Sequence, residues 1–321
     1  MATFDSYSIA PLRIALLAGG EYEEREISLQ SGAAVNRVLC DRGHAVTTID
    51  PAECQLQHVA WNDFDVAFIA LHGRFGEDGE VQSLLQEAGV AFTGSDADTS
   101  RLAFSKSASK ERFAQCNVPT PSYTLIHESD HHSRIEQQAG QIGYPLVVKP
   151  DAQGSSLGVS IVEMQEDLPQ ALERCFQYDA FGILERAIIG TEWTVGLLDD
   201  QPLPLVHIET DRSFFDYKAK YDDDETHYHL SFSLPTNVVK SIENAGRQAG
   251  RALGTRGLAR VDIRVDELNR PWVLEANTIP GMTDHSLIPK ASAKIGIDLG
   301  ELCERAMLCC LQTSERPYNL P

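Results

Sequence analysis

The sequence predicts an open α/β domain followed by two α+β domains, and three observations carry that prediction. Strands and helices alternate over roughly the first hundred residues. The segment from Ser122 to Ala187 reads as strand, helix, strand, glycine-rich turn, strand, helix and strand. The segment from Gly257 to Gly281 reads as a β-hairpin, preceded by a helix and followed by two more. At 321 residues the chain can hold two or three domains with substantial cores, and the expected division is 1–101, 102–187 and 188–321.

Leu12 to Ala18 is a continuous apolar run ending in Gly19-Gly20, the pattern of a buried parallel strand. Ser28 to Arg42 follows with helical spacing and stops at Gly43; Asp65 to Leu71 is a second strand and Gly79 to Ala88 a second helix. Sites in such sheets lie beyond the carboxyl ends of the strands, where Glu21 to Ile27 and His72 to Gly79 fall. Asp96 to Cys116 reads as one long helix carrying Lys106 and Lys110, and Asn117-Val-Pro-Thr-Pro121 as a linker. Beyond Ala187 the chain opens with a hairpin around Asp199-Asp200 and passes through a polar loop from Asp216 to Pro235.

Composition excludes several functions. A formal charge of −20, from 47 acids against 27 bases, makes binding to nucleic acid or an anionic membrane through the bulk field untenable. An anionic nucleotide would need a local cluster of Lys and Arg, or a metal. The seven cysteines show neither a Cys-x-x-Cys pair nor zinc spacing, so reduced, mostly buried thiols are expected. No signal segment and no apolar run of membrane-spanning length is visible, and a cytoplasmic location is the expectation.

The hairpin carries the most specific chemistry. With its turn centred between Leu268 and Asn269, Asp262 pairs with Glu275 and Arg260 with Asn277. Alternation then puts two carboxylates, one amide and one guanidinium on a single face. An exposed acidic hairpin is the bland alternative, but these acids sit beside Val261, Ile263, Val273 and Leu274, where an unpaired carboxylate is costly. Oxygen donors without imidazole or thiolate suit Mg²⁺, which keeps waters and phosphate oxygens as its remaining ligands.

Two further segments agree with a phosphate-bearing substrate. Tyr144-Pro-Leu-Val-Val-Lys149-Pro150 ends an apolar strand in a lysine, and Gly154-Ser155-Ser156-Leu157-Gly158 follows as a flexible loop whose N–H groups can converge on phosphate oxygens. No Walker A loop or Gly-x-Gly-x-x-Gly fingerprint is present. Between Glu185 and Glu192 the chain crosses between two strands; its backbone edges can face adenine, and Glu192 can accept from ribose hydroxyls.

This ordered set resembles the ATP-grasp enzymes and, among them, the D-alanine–D-alanine ligase family. The resemblance runs from about Ile14 to the last helices. It rests on Gly19-Gly20 with Glu24 to Ser28, Leu71-His72-Gly73, Gly76-Glu77-Asp78-Gly79, Tyr217-Lys-Ala-Lys220-Tyr221, Leu274-Glu-Ala-Asn277 and Pro280 to Leu287. It implies that Lys106, Lys149 and Lys220 hold ATP phosphates, that Glu185, Ala187, Ile188 and Glu192 surround adenosine, and that Asp262, Glu275 and Asn277 bind two Mg²⁺, with Mn²⁺ as a substitute. Glu24 would take the first D-alanine's ammonium and link through Ser155 to Tyr221, closing a mobile loop. His72 would lie near the first substrate's carboxylate, Tyr217 would line the substrate site, and Ser286 with the Leu287 N–H would hold the second carboxylate. Arg260 would stabilise the acyl phosphate and Gly281 would donate its N–H to the oxyanion. The implied activity joins two D-alanines through a D-alanyl phosphate for the peptidoglycan precursor, in a homodimer.

The chain departs from the family pattern at Arg186, Phe215, Ile279 and Asp284, which stand for a usual lysine, tyrosine, serine and small polar residue. Two rival readings fit less well. Tyr221 argues against a depsipeptide ligase using D-lactate, and retention of Arg260, Asp262, Glu275 and Asn277 argues against an ATP-binding module without ligase activity.

Overall fold

The computed structural model describes residues 9–209, 226–283 and 285–313. Tyr217, Lys220 and Tyr221, with the departures at Phe215 and Asp284, lie outside the described residues. The predicted class, an α/β domain followed by two α+β layers, is what the chain adopts.

Strands β1 (Arg13–Leu17), β2 (Ala45–Ile49) and β3 (Val66–Ile69) form a parallel sheet in the order β2-β1-β3. Helix α1 (Arg25–Asp41) covers one face with Val35 and Leu39 against Ile14 and Leu16; α2 (Glu80–Ala88) covers the other with Val81 and Leu85 against Leu17 and Ile69. Burial on both faces explains the unbroken apolar runs of β1 and β3. β2 gives no such run, because most of its residues are wholly or partly exposed.

The single helix expected from Asp96 to Cys116 is two helices, α3 (Ala97–Phe104) and α4 (Lys106–Gln115), broken at Ser105. Ser105 is extended (φ −80°, ψ 114°), and its Oγ accepts from Ala108 N at 3.2 Å while donating to Asp151 Oδ2 at 2.7 Å. Ser107 N donates to Asp151 Oδ1 at 2.7 Å and Lys106 N to the Asp151 carbonyl at 3.0 Å. The cap and the strand-end aspartate together outweigh continued helix. The domain boundary expected near residue 102 falls within α3.

From 122 to 187 the elements follow the expected order: β4 (Tyr123–His127), α5 (His132–Ile142), β5 (Leu146–Pro150), β6 (Ser160–Val162), α6 (Leu168–Phe176) and β7 (Phe181–Arg186). They make an antiparallel sheet in the order β4-β7-β5-β6. Ile126, Leu146, Val148, Val162 and Leu184 point to α5 and α6, so alternation leaves Val147, Lys149, Ile161 and Glu185 on the opposite face.

The third layer is a six-stranded antiparallel sheet. Its path runs β11 (His227–His229), β10 (Val206–Glu209), β8 (Gly190–Leu198), β12 (Leu258–Asp266), β13 (Pro271–Asn277), with β9 (Gln201–Pro202) beside β8. β11 lies inside the stretch expected to be a polar loop up to Pro235. Helix α7 (Thr236–Leu253) covers one face; a Cβ on its Gly246 would stand 2.6 Å from Val195 Cβ, so this close helix–sheet approach needs glycine. On the other side, α8 (Leu287–Ala293) and α9 (Leu299–Thr313) share one core with the N-terminal sheet, in which Met282, Leu287, Ile288 and Leu302 join Ile14, Leu16 and Leu39. The thiols are reduced, but mostly buried they are not: Cys175 and Cys303 are buried, Cys309 and Cys310 partly so, and Cys40, Cys54 and Cys116 are exposed. Among the described residues no helix is long and apolar enough to cross a membrane.

Candidate active site

The free face of the four-stranded sheet and the hairpin face of the six-stranded sheet enclose a cleft that is open at its mouth and lined by both apolar and charged side chains. Apolar walls come from Val147, Val159, Ile161 and Leu274, and polar groups from Lys106, Lys149, Glu185, Glu192, Asp262 and Glu275. Ala187 and Ile188 line the crossing between β7 and β8. All the expected nucleotide residues within the described part thus meet in one place. Lys149 Nζ donates to Glu185 Oε1 at 2.9 Å, and Lys110 Nζ pairs with the other oxygen. Desolvation penalises the Glu185 charge, yet the two ammonium groups outweigh it and hold the carboxyl below the usual range. Glu192 is held by Arg264 Nη1 at 3.0 Å, and Arg264 Nε also reaches the Ile188 carbonyl at 3.3 Å.

The hairpin has the register expected of it, with Arg260 opposite Asn277 and Asp262 opposite Glu275. Its pairing then slips: Ile263 faces Val273, which leaves Leu274 as a bulge and turns Leu274 and Glu275 both to the cleft. Arg260 chelates Asp262 through Nε at 3.0 Å and Nη2 at 3.0 Å, and Thr194, directly across on β8, donates to Asp262 Oδ1 at 2.7 Å. Glu275 Oε2 stands 3.3 Å from Lys106 Nζ, which also donates to the Gln153 carbonyl at 2.6 Å. Asn277 Oδ1 accepts from Ile279 N at 2.8 Å. Among the described residues no three His, Cys, Asp or Glu side chains are grouped as a metal cage. Two carboxylates and one amide instead fit Mg²⁺, which takes few protein ligands and completes its shell with water and phosphate.

At the far end Glu24 is buried, and Ser155 Oγ donates to its Oε1 in a short hydrogen bond. Two glycines make room for that carboxylate: a Cβ on Gly73 would stand 2.1 Å from Glu24 Oε2, and one on Gly154 2.9 Å. Ser155 and Ser156 both adopt left-handed backbone (φ 52° and 58°), as does Gly158 (φ 73°), whereas Gly154 serves the close approach. His72 Nε2 lies 3.1 Å from Ser31 Oγ, which accepts from Met282 N at 3.3 Å. That contact ties the N-terminal domain to the segment holding Gly281 and Ser286. Ser286 precedes α8, but its Oγ accepts from Thr283 N at 3.0 Å rather than capping the helix; a Cβ on Gly281 would stand 2.8 Å from that same Oγ. Leu287, the first residue of α8, is buried.

The pattern described as the D-ala D-ala ligase C-terminus matches residues 113–307, and that described as the N-terminus matches residues 50–95. The chain belongs to the D-alanine–D-alanine ligase family. It is 40% identical over 296 residues to the D-alanine--D-alanine ligase of Syntrophotalea carbinolica, covering 92% of this chain and 95% of that one. The relative from Alkalilimnicola ehrlichii is also 40% identical, over 92% and 94% of the two chains. Among solved structures, the D-alanine–D-alanine ligase of Bacillus anthracis superposes with a TM-score of 0.84 at 32% identity, covering 94% of this chain and 98% of that one. The same ligase complexed with ATP gives 0.81 at 28%, with the same coverage.

Several residues of this ligase cleft escaped the sequence reading. Arg264 continues the alternation of Arg260 and Asp262 along β12, and Lys110 follows Lys106 by one helical turn. Both signals were present. Gln153 and Thr194 reach the site through tertiary contacts that spacing does not reveal.

Proposed function

We propose that the protein joins two molecules of D-alanine into D-alanyl-D-alanine, converting ATP to ADP and phosphate, for the peptidoglycan precursor. The observation that carries this reading is the shared cleft. Lysines from α4 and β5 stand opposite Asp262 and Glu275, and the buried Glu24–Ser155 pair closes the end next to them.

A carboxylate is a poor electrophile, so amide formation at neutral pH needs activation. An oxygen of the first D-alanine attacks the γ-phosphorus, ADP leaves, and the second D-alanine's amine displaces phosphate from the acyl phosphate. Lys106 and Lys149 offer positive charge to the phosphates. Glu24 holds the first ammonium, with His72 near the carboxylate. Arg260, bonded to Asp262, supplies the positive charge for the acyl phosphate in this reading, and the Gly281 N–H is its oxyanion donor. Mg²⁺ held by Asp262, Glu275 and Asn277 would neutralise phosphate charge during transfer. Ser286 and Leu287 receive the second carboxylate. Motif alone assigns Tyr217, Lys220 and Tyr221 to substrate, γ-phosphate and loop closure. The same reading takes the enzyme as a cytoplasmic homodimer, which light scattering on the purified protein checks.

Phosphate release from ATP and Mg²⁺ tests the function. D-Alanine should support turnover with dipeptide as product, and L-alanine or D-lactate alone should not. Equal release with all three would contradict it.

A further inference from the structure

One buried cation in the cleft wall has no part in the mechanism above. Lys110 lies one turn beyond Lys106 on α4, so both ammonium groups leave the same helix face. Its side chain is 0% exposed, a position an ammonium occupies only with partners. It has three: Glu185 through Oε2, the Thr120 hydroxyl at 2.7 Å, and the face of Tyr123, whose ring centroid is 5.8 Å away. Thr120 in turn donates to the Val273 carbonyl at 2.8 Å, on the strand that carries Glu275.

Counting charge shows what this placement does. Glu185 with Lys149 alone would be a closed, neutral pair in a buried wall, and drawing Lys149 away would strand a buried carboxylate without a partner. With Lys110 on the second oxygen the cluster carries one net positive charge, and Glu185 stays paired when Lys149 turns elsewhere. Desolvation pushes the Lys110 ammonium below its usual range, and the Glu185 carboxylate beside it pulls the other way.

We propose that Lys110 is a positioning residue for nucleotide binding: by keeping Glu185 paired from behind, it frees Lys149 to exchange that carboxylate for an ATP phosphate. The proposal rests on the reading that ATP occupies this cleft with Lys149 at its phosphates.

Steady-state kinetics and melting of Lys110→Met, Glu185→Gln, the double variant and Lys149→Met test it. Lys110→Met should raise KM for ATP by about tenfold or more, with KM for D-alanine within about twofold of wild type. In the double variant the amide cannot hold Lys149, so its KM for ATP should match that of Glu185→Gln alone within about threefold. The double variant also leaves no buried carboxylate unpaired, and it supplies the decisive comparison should Lys110→Met fail to fold. A lower melting temperature with unchanged KM for ATP, or a further large rise in the double variant over Glu185→Gln, would overturn the proposal. If Lys149→Met raises KM for ATP and Lys110→Met does not, only this proposal falls. If Lys149→Met has no effect, the phosphate role of Lys149 falls and takes the proposal with it.

Discussion

Along β12 and β13, four polar side chains meet because two neighbouring strands alternate and one turn sets their register. At the other end of the cleft, Glu24, Ser31, His72, Ser155 and Met282 meet although they come from the start of α1, a strand-end turn, a loop in the central sheet and the approach to α8. The hairpin is a local construction: its carboxylates would keep their spacing through small shifts between domains. The substrate end is a long-range one, held by single hydrogen bonds between domains and by two glycines that admit a carboxylate. Chemistry placed on the hairpin should therefore fail all at once when a ligand is removed, and the substrate end should fail by degrees.

The largest expected effect is at Glu275. Glu275→Gln keeps the shape and removes the charge, so turnover should fall by about a thousandfold or more while the melting temperature moves by only a few degrees. Near wild-type activity at saturating Mg²⁺ would remove the hairpin from the mechanism. Ser155→Ala breaks the interdomain bond to Glu24, and kcat/KM for D-alanine should drop by roughly ten- to a hundredfold with KM for ATP nearly unchanged. A selective rise in KM for ATP would instead place Ser155 at the nucleotide. Gly154→Ala puts a methyl 2.9 Å from Glu24 Oε2 at a residue whose backbone is unstrained. It should raise KM for D-alanine by about three- to tenfold, since the carboxylate must shift by a few tenths of an ångström; an unchanged KM would mean that Glu24 does not set that site.

The smallest effect concerns the hairpin turn. Burial opposes the Asp266 charge, but hydrogen bonds from Arg270 N, Trp272 Nε1, Arg270 Nε and Leu268 N outweigh it and hold the carboxyl down to about 2. A folded value below the ordinary 3.8 contributes stability that is present above 3.8 and lost as pH falls through about 2. Asp266→Asn should therefore melt a few degrees below wild type at neutral pH, and the gap should close between about pH 4 and pH 2 with turnover little changed. A gap independent of pH would assign the effect to shape rather than charge.

The same contrast governs what the sequence discloses. The hairpin register was readable because apolar alternation and a polar turn are local signals, and the bulge at Leu274 was not, since nothing around Leu274 marks it as the extra residue. The break at Ser105 is invisible to periodicity, because both flanking stretches favour helix and the interruption comes from Asp151 in another element. β2 lacks an apolar run because most of its residues are wholly or partly exposed. Lys149 and the glycine–serine loop were legible as types, yet only the fold shows that Ser155 and Ser156 join Gly158 in the left-handed backbone while Gly154 does not. Lys110 looked like an ordinary helix lysine until Glu185 was brought against it.

Transfer of a labelled oxygen tests the central claim, that this cleft activates a carboxylate by phosphorylation. D-Alanine carrying ¹⁸O in its carboxylate is incubated with the protein, ATP and Mg²⁺, and the inorganic phosphate is analysed by mass. The account predicts one labelled oxygen in the phosphate for every dipeptide formed, because the bond broken in the second step lies between the acyl carbon and that oxygen. Dipeptide accompanied by unlabelled phosphate would contradict it.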